Sequence, residues 1–233
     1  MEEEIVKTKL FVTIVDKDRT DRIVRLFKRY NISYSCSINA KGTASGSLLS
    51  YFGLDEVKKN VLLSVVPCVL ETKLMYLLHN KLSIYKPGNG ICFSLGITSA
   101  NRYLSSIYSK FSTYKEEYSM EKDKEYELII LIVSEGFATQ AMDAAKRVGA
   151  SGGTLINGIG LGSEEATKFL GITIEPEKDV VLILVEKDEK KKVMKEITDE
   201  VGLSHEGRGI CFSIPVDNVV GLTENINFEK NNK

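Results

Sequence analysis

"GRGICFSIPVDNVVGL" occupies residues 207–222, and "GNGICFSLGITSANRYL" occupies residues 88–104. Each opens on two glycines one residue apart and runs into an apolar stretch, which reads as a turn entering a β-strand. Gly90 and Gly209 stand 119 positions apart, and the repetition does not stop at this stretch. "KRYNISYSCSINAKGT" from Lys28 aligns with "KRVGASGGTLINGIGL" from Lys146, 118 positions later. "FVTIV" from Phe11 aligns with "IILIV" from Ile129, and "NVLLSVV" from Asn60 with "DVVLILV" from Asp179. A nearly constant offset across four segments predicts a duplicated unit of domain size, too long for a solenoid repeat.

Each half carries the same order of elements. An apolar strand ("LFVTIV", "LIILIV") precedes a helix, whose apolar residues recur at helical spacing: Ile23, Val24, Phe27 and Tyr30, or Phe137, Ala141, Ala144, Ala145 and Val148. A second strand ("SYSCSIN", "SGGTLIN") enters a Gly-rich loop and a third strand follows ("VLLSVV", "VVLILV"). A second helix ("LETKLMYLLHNK", "KKKVMKEITDEV"), a glycine loop and a final strand close the unit. The predicted fold class is therefore α+β, with two ferredoxin-like (β-α-β-β-α-β) domains in tandem. The expected boundaries are 1–104 for the first, 105–125 for a linker and 126–233 for the second with a short C-terminal tail. Tyr103, Ile107, Phe111, Tyr114 and Tyr118 predict a helix in that linker, ahead of a charged stretch at 120–125.

Helices cover one face of such a sheet, so an isolated domain shows alternating strands. "LIILIV" and "VVLILV" are apolar on both faces. The second face needs a cover, which predicts sheets packed face to face between domains or subunits and a homo-oligomer.

Composition restricts the class further. At 43% hydrophobic and 27% charged the chain reads as globular, and no apolar run reaches the roughly 18 residues of a membrane span. The acidic opening "MEEEIVKTKL" has no apolar core of a secretory signal, and Cys36, Cys68, Cys92 and Cys211 form no CxxC pair. Together these predict a cytoplasmic protein with buried, reduced thiols. Residues 1–118 carry 17 Lys and Arg against 11 Asp and Glu, and the remainder carries 14 against 21. The basic half lacks an aromatic platform, so nucleic acid is not the expected partner. Attraction between the halves and two independently solvated surfaces remain equal readings of the asymmetry.

The glycine loops, the long segments after the second strands ("NAKGTASGSLLSYFGL", "NGIGLGSEEATKFLGI") and the PVxxV ending together resemble the PII nitrogen-regulatory signalling proteins, here as a tandem two-domain form. The resemblance covers residues 8–104 and 126–222. It implies a non-enzymatic trimer-forming regulator that binds an adenine nucleotide such as ATP or ADP in clefts between subunits. It also implies that a long loop docks a regulated partner protein, here through residues 42–57 and 160–178. Carried over by position, the loop-base glycines fall on Gly42 and Gly160. The phosphate-side glycines fall on Gly88, Gly90, Gly207 and Gly209, with Arg208 as the cation between the last pair. The family's phosphate-loop lysine is replaced by Ile91 and Ile210, and its clamping arginines by Gly221 and Thr223. Its 2-oxoglutarate-linked glutamine is replaced by Ala44 and Gly162, and its modified tyrosine by Glu56 and Ile174. Losing three charge-assisted contacts weakens a phosphate site by orders of magnitude, so the fold transfers better than the nucleotide.

Two further expectations concern the loops and the rival functions. Leu48, Leu49 and Phe52, or Ala166, Phe169 and Leu170, suit a helical turn that docks a partner or folds back on its own domain, and Ser163 before Glu164 and Glu165 suits its start. Nearby Tyr51 belongs to the same short segment. A small-molecule or metal-cation binding ferredoxin-like module without nucleotide is the alternative function. His79 and His205 have no second ligand at metal spacing, and no metal site is expected. No Ser-His-Asp set, P-loop or paired carboxylates point to an enzyme.

Overall fold

The computed structural model describes residues 6–32, 34–43, 57–86, 88–111, 125–160, 167–169, 172–174 and 177–222. The chain is a mixed α/β structure dominated by antiparallel sheet. It divides into two compact units, residues 1–38, 60–124 and 216–233 in the first and residues 39–59 and 125–215 in the second.

In the first unit, β1 (Thr8–Asp16), α1 (Lys17–Arg29), β2 (Ser35–Gly42), β3 (Val57–Pro67), α2 (Glu71–Leu82) and β4 (Ile91–Gly96) follow one another. The second unit repeats the series with β5 (Tyr126–Ser134), α4 (Ala138–Arg147), β6 (Thr154–Ile159), β9 (Glu177–Glu186), α5 (Lys190–Val201) and β10 (Ile210–Val216). The strand orders are β2-β3-β1-β4 and β10-β5-β9-β6. Each is second-third-first-fourth read from one edge or the other, the ferredoxin-like order that two crossover helices produce when each skips a strand.

Each unit draws on more than one stretch of the chain. After β10 the chain crosses into β11 (Asn218–Val220), which pairs antiparallel with β4 through Asn218–Ser94, Val219–Phe93 and Val220–Cys92. The end of β2 goes the other way: Lys41 and Gly42 pair with Leu155 and Thr154 of β6. Thr43 Oγ1 accepts from the Gly153 amide at 2.8 Å, and the Lys146 ammonium donates to the Thr43 carbonyl at 2.7 Å. Backbone ladders decide both assignments, because a strand's N–H and C=O groups must be paired where they are buried.

The linker helix is shorter than its aromatic spacing predicts. The α3 helix spans Arg102–Ile107, capped where Asn101 Oδ1 accepts from the Leu104 amide at 3.0 Å, and a 3-10 turn takes over at Ser109–Phe111. Tyr108 explains the break. Its ring is fully buried, its hydroxyl donates to the Val65 carbonyl at 2.6 Å, and Phe111 packs beside it. Tyr114 and Tyr118 lie outside the described residues. Of the helical turn expected at Ala166, Phe169 and Leu170, Phe169 lies instead in a strand, β7 (Thr167–Phe169), paired antiparallel with β8 (Ile172–Ile174), and Ala166 and Leu170 lie outside the described residues. Threonine and isoleucine fill "TKFLGITI", and β-branched residues favour the extended state. Leu48, Leu49, Phe52, Tyr51 and residues 163–165 lie outside the described residues.

Each unit has its own core. In the first, Phe11 meets Phe27 edge-on with centroids 6.2 Å apart, and Leu74, Leu78 and Ile84 close over them. In the second, Ala141, Ala145 and the buried Ala144 give α4 a small-residue face beside α5, whose Val193, Ile197 and Val201 are buried in the same core. The sheet of the second unit alternates in burial despite its uniformly apolar sequence. Ile129, Leu131, Val133, Val181 and Ile183 are buried, whereas Ile130, Ile132, Val180, Leu182 and Leu184 are half-buried on the opposite face.

One buried polar contact is repeated with its charges exchanged. In the first unit Lys9 of β1 pairs with Glu71 at the start of α2 at 2.7 Å. In the second, the corresponding strand position holds Glu127 and the corresponding helix start holds Lys190, again 2.7 Å apart. The first-unit pair is the centre of a larger network. Ser94 Oγ donates to Glu71 Oε1 at 2.5 Å, Asn218 Nδ2 donates to the same oxygen at 2.8 Å, and Asp217 reaches Lys9 at 3.3 Å. The network ties β1, α2, β4 and the incoming β11 together.

Candidate functional site

The first glycine loop begins where α2 stops. Ser83 ends the helix in the left-handed region with φ 50°, and the Ile84 amide returns to the Leu78 carbonyl at 3.2 Å. Three bonds then close the loop on itself. The Lys86 amide donates to the Ser83 carbonyl at 3.2 Å, the Asn89 amide to the Lys86 carbonyl at 3.0 Å, and Asn89 Nδ2 to the Ser83 carbonyl at 2.8 Å. Gly88 and Gly90 both hold positive φ, 81° and 122°. They differ in surroundings: a Cβ on Gly88 would meet nothing within 4 Å, whereas one on Gly90 would lie 2.4 Å from the Ile14 carbonyl oxygen.

This loop walls a cleft of about 410 Å³ in the first unit, between the end of β1, the first turns of α1 and the end of α2. Val15, Ile23, Leu82 and Ile84 supply its aliphatic surface, and Ser83 and Asn89 its neutral polar groups. Arg19, Arg22, Lys81 and Lys86 supply four cations, and among the described residues no acidic side chain lines it. Arg19 also donates to the Leu82 carbonyl at 3.4 Å, which bridges α1 to the last turn of α2. Of the residues singled out in the sequence, Gly88 and Gly90 flank this cleft through Asn89. The sequence signal for its cations was present in "DRTDRIVRLFKR": Arg19 and Arg22 are three residues apart and so share a helix face.

The second glycine loop sits differently. The Gly209 amide donates to the Val201 carbonyl at 2.6 Å, and the Gly207 carbonyl accepts from Ser134 at 2.9 Å. A Cβ on Gly209 would come 2.6 Å from the Val201 oxygen, and one on Gly207 would press on the Val201 side chain at 3.1 Å. These glycines let the loop lie against the end of α5. Arg208 between them holds a left-handed φ of 45°. Gly42 ends β2, where a Cβ would make only ordinary contact with Lys59, and Gly160 follows β6.

Neither histidine is among the residues lining the cleft. His79 is buried and stacks on Tyr85 with centroids 4.6 Å apart, and His205 lies beside Ser204. Among the described residues no three His, Cys, Asp or Glu converge as a metal site, and no helix is long and apolar enough to cross a membrane. Burial pushes the Cys92 thiol up to about 12 and the Cys211 thiol up to about 11. Cys36, expected to be buried with the other thiols, is exposed, because it lies in the first part of β2, where Ser35 and Ser37 on both sides of it are exposed as well. Maleimide at pH 8 therefore labels Cys36 first and Cys92 last, since a thiol titrating near 12 is about one part in ten thousand thiolate there. Mass spectrometry of timed samples checks the order, and early labelling of Cys92 would contradict its burial.

No family model matches the chain, and no curated protein matches it. Among solved structures, the PII protein of Arabidopsis thaliana bound to citrate aligns at 19% identity over 46% of this chain and 96% of its own, with a TM-score of 0.33. A Bacillus cereus protein related to NIF3 aligns at 17% identity over 41% of this chain and 26% of its own, with a TM-score of 0.31. An unknown protein from Galdieria sulphuraria aligns at 13% identity over 90% of this chain and 98% of its own, with a TM-score of 0.27. At these scores the likenesses say nothing of ligand or partner.

Proposed function

We propose that this chain is a PII-like regulatory protein and not an enzyme, a cytoplasmic sensor built from two tandem domains. It binds a small ligand in the first unit and signals to a partner protein through residues 42–57 and 160–178. The observation that carries this is the four-cation cleft closed by the first glycine loop, a concave polar site with a preformed wall. Among the described residues no nucleophile–base pair accompanies it, which favours binding over catalysis. The half-buried apolar face of the second unit's sheet supports self-association, which light scattering reads directly as a mass above that of one 25.9 kDa chain.

A thermal-shift and calorimetric screen with ATP, ADP, AMP, cyclic nucleotides, 2-oxoglutarate and simple anions tests the sensing role. The expected result is a rise in melting temperature with at least one of them, because a ligand bound only by the folded state stabilises it. Silence across the whole panel would sink the sensing role and leave a pure interaction module. A reading without nucleotide is also supported, by Ile91 and Ile210 in place of a lysine and by the Gly209 amide already committed to Val201.

A further inference from the structure

The cleft of the first unit places four cations around about 410 Å³, with no acid among the described residues of its lining. Like charges held together cost free energy unless something of opposite sign shares the space. We propose that the cleft binds a compact polyanion of the pyrophosphate or bisphosphate type, held by Arg19, Arg22, Lys81 and Lys86 with no recognition of a nucleobase. The proposal rests on the sensing role above and names its ligand.

Charge sets the class. A phosphate group carries about −1.5 to −2 at neutral pH, so two of them balance four cations. Arginine's planar fork takes phosphate oxygens in pairs, and lysine adds a point charge. Arg19 and Arg22 reach in from α1, Lys81 from the end of α2 and Lys86 from the loop, so the ligand is approached from three elements. Geometry sets the rest. The apolar part of the lining is aliphatic, so a purine would find no ring to stack on. The loop that carries Lys86 is already closed by its bonds between Ser83, Lys86 and Asn89, which lowers the ordering cost of binding. Gly88 leaves open space where a side chain would stand.

Isothermal titration of the full chain with sodium pyrophosphate tests this, at low and high salt. The expected result is saturable binding that weakens with salt. Arg19→Gln and Arg22→Gln should each weaken it at least about tenfold, the loss expected for a charge-assisted contact. Arg25→Gln with Arg29→Gln removes two charges from the same helix outside the cleft and should change affinity less than about threefold. Circular dichroism of every variant confirms that the fold is kept. Equal weakening by cleft and control variants would overturn the proposal, because only the diffuse field would then matter. Citrate binding as tightly as pyrophosphate would overturn the phosphate class, and ATP binding far more tightly than tripolyphosphate would show base recognition. Pyrophosphate binding lost while another ligand of the screen still raises the melting temperature would end this proposal and leave the sensing role. Pyrophosphate binding through these arginines that never alters partner binding would do the reverse.

Discussion

Replacing Glu71 by alanine lowers the stability of the first unit by about 3–5 kcal/mol, the cost of breaking one side of a buried ion pair. Glu71 is only 5% exposed and answers three groups at once: the Lys9 ammonium, the Ser94 hydroxyl and the Asn218 amide. Its loss leaves the largely buried Lys9 ammonium beside Asp217, 3.3 Å away. Urea denaturation followed by circular dichroism reads the effect, and Glu71→Gln should fall between, since an amide oxygen still accepts from Ser94 and Asn218. The exposed Lys195–Asp199 pair has the same 2.7 Å separation and serves as the control. Breaking it should leave the urea midpoint nearly unchanged, because solvent screens it. If the two substitutions cost the same, burial is not what gives the Glu71 pair its weight.

The pH dependence follows from the same network. Burial by itself lowers the Lys9 pKa, but the hydrogen bonds and charges of Glu71 and Asp217 outweigh it and hold it above the ordinary value. A lysine whose folded pKa is raised adds stability that is complete below its unfolded pKa, near 10.5, and that fades as pH rises through the folded one. The part of the Glu71 variant's deficit that comes from Lys9 should therefore shrink at strongly alkaline pH, while the part that comes from the Ser94 and Asn218 bonds remains.

The exchanged charges of the second unit sharpen the test. Glu127→Lys with Lys190→Glu rebuilds an ion pair of the first unit's polarity and should recover most of what either single change loses. Lys9→Glu with Glu71→Lys should not recover, because Asp217 then faces a carboxylate. The strand ends differ as well: Gly96 lies beside Asp217, and at the corresponding place in β10 stands Pro215. A β11-like strand thus finds a cation and an open path beside β4, but a carboxylate and a proline beside β10. Proline belongs on a strand edge whose outer side stays unpaired.

The strands and helices were legible because their apolar periodicity is local, and α5 spans the very residues 190–201 that the pattern of "KKKVMKEITDEV" picks out. The duplication was legible because the offset is nearly constant. What sequence could not give was the partner of each strand. Nothing in "PVDNVVGL" says whether it pairs with β10's neighbours or with β4; the decision lies in Asp217 and Asn218 meeting Lys9 and Glu71 across more than 140 residues of chain. The cleft was hidden for the same reason. Its cations come from α1 and from the end of α2, about 60 residues apart, and no motif links them. The reach of the linker helix was overestimated because Tyr108 found the Val65 carbonyl, a tertiary bond that spacing does not encode.

The two glycines of the first loop look equivalent in sequence and should behave differently when replaced. Gly90→Ala puts a Cβ 2.4 Å from the Ile14 carbonyl oxygen and 2.6 Å from Val15 Cγ1, at a φ of 122° that side chains avoid. Backbone of β1 would have to move, and β1 carries the core residue Phe11 and the ion-pairing Lys9. A loss of about 4 kcal/mol or more is expected, in the range reserved for strain that a core must absorb. Gly88→Ala meets nothing within 4 Å, so only its φ of 81° resists, at about 1–2 kcal/mol. Urea denaturation of both variants separates them, and equal losses would mean that turn conformation alone explains the pair. The separation also bears on ligand binding. Gly90 is held by the packing of its own unit, as Gly209 is by Val201, so its presence says nothing of a ligand. Gly88 faces open space beside Asn89 and the cleft, and its replacement costs little stability. A Gly88→Ala protein that folds but binds pyrophosphate at least about tenfold more weakly would show that the first glycine serves the site and the second serves the fold.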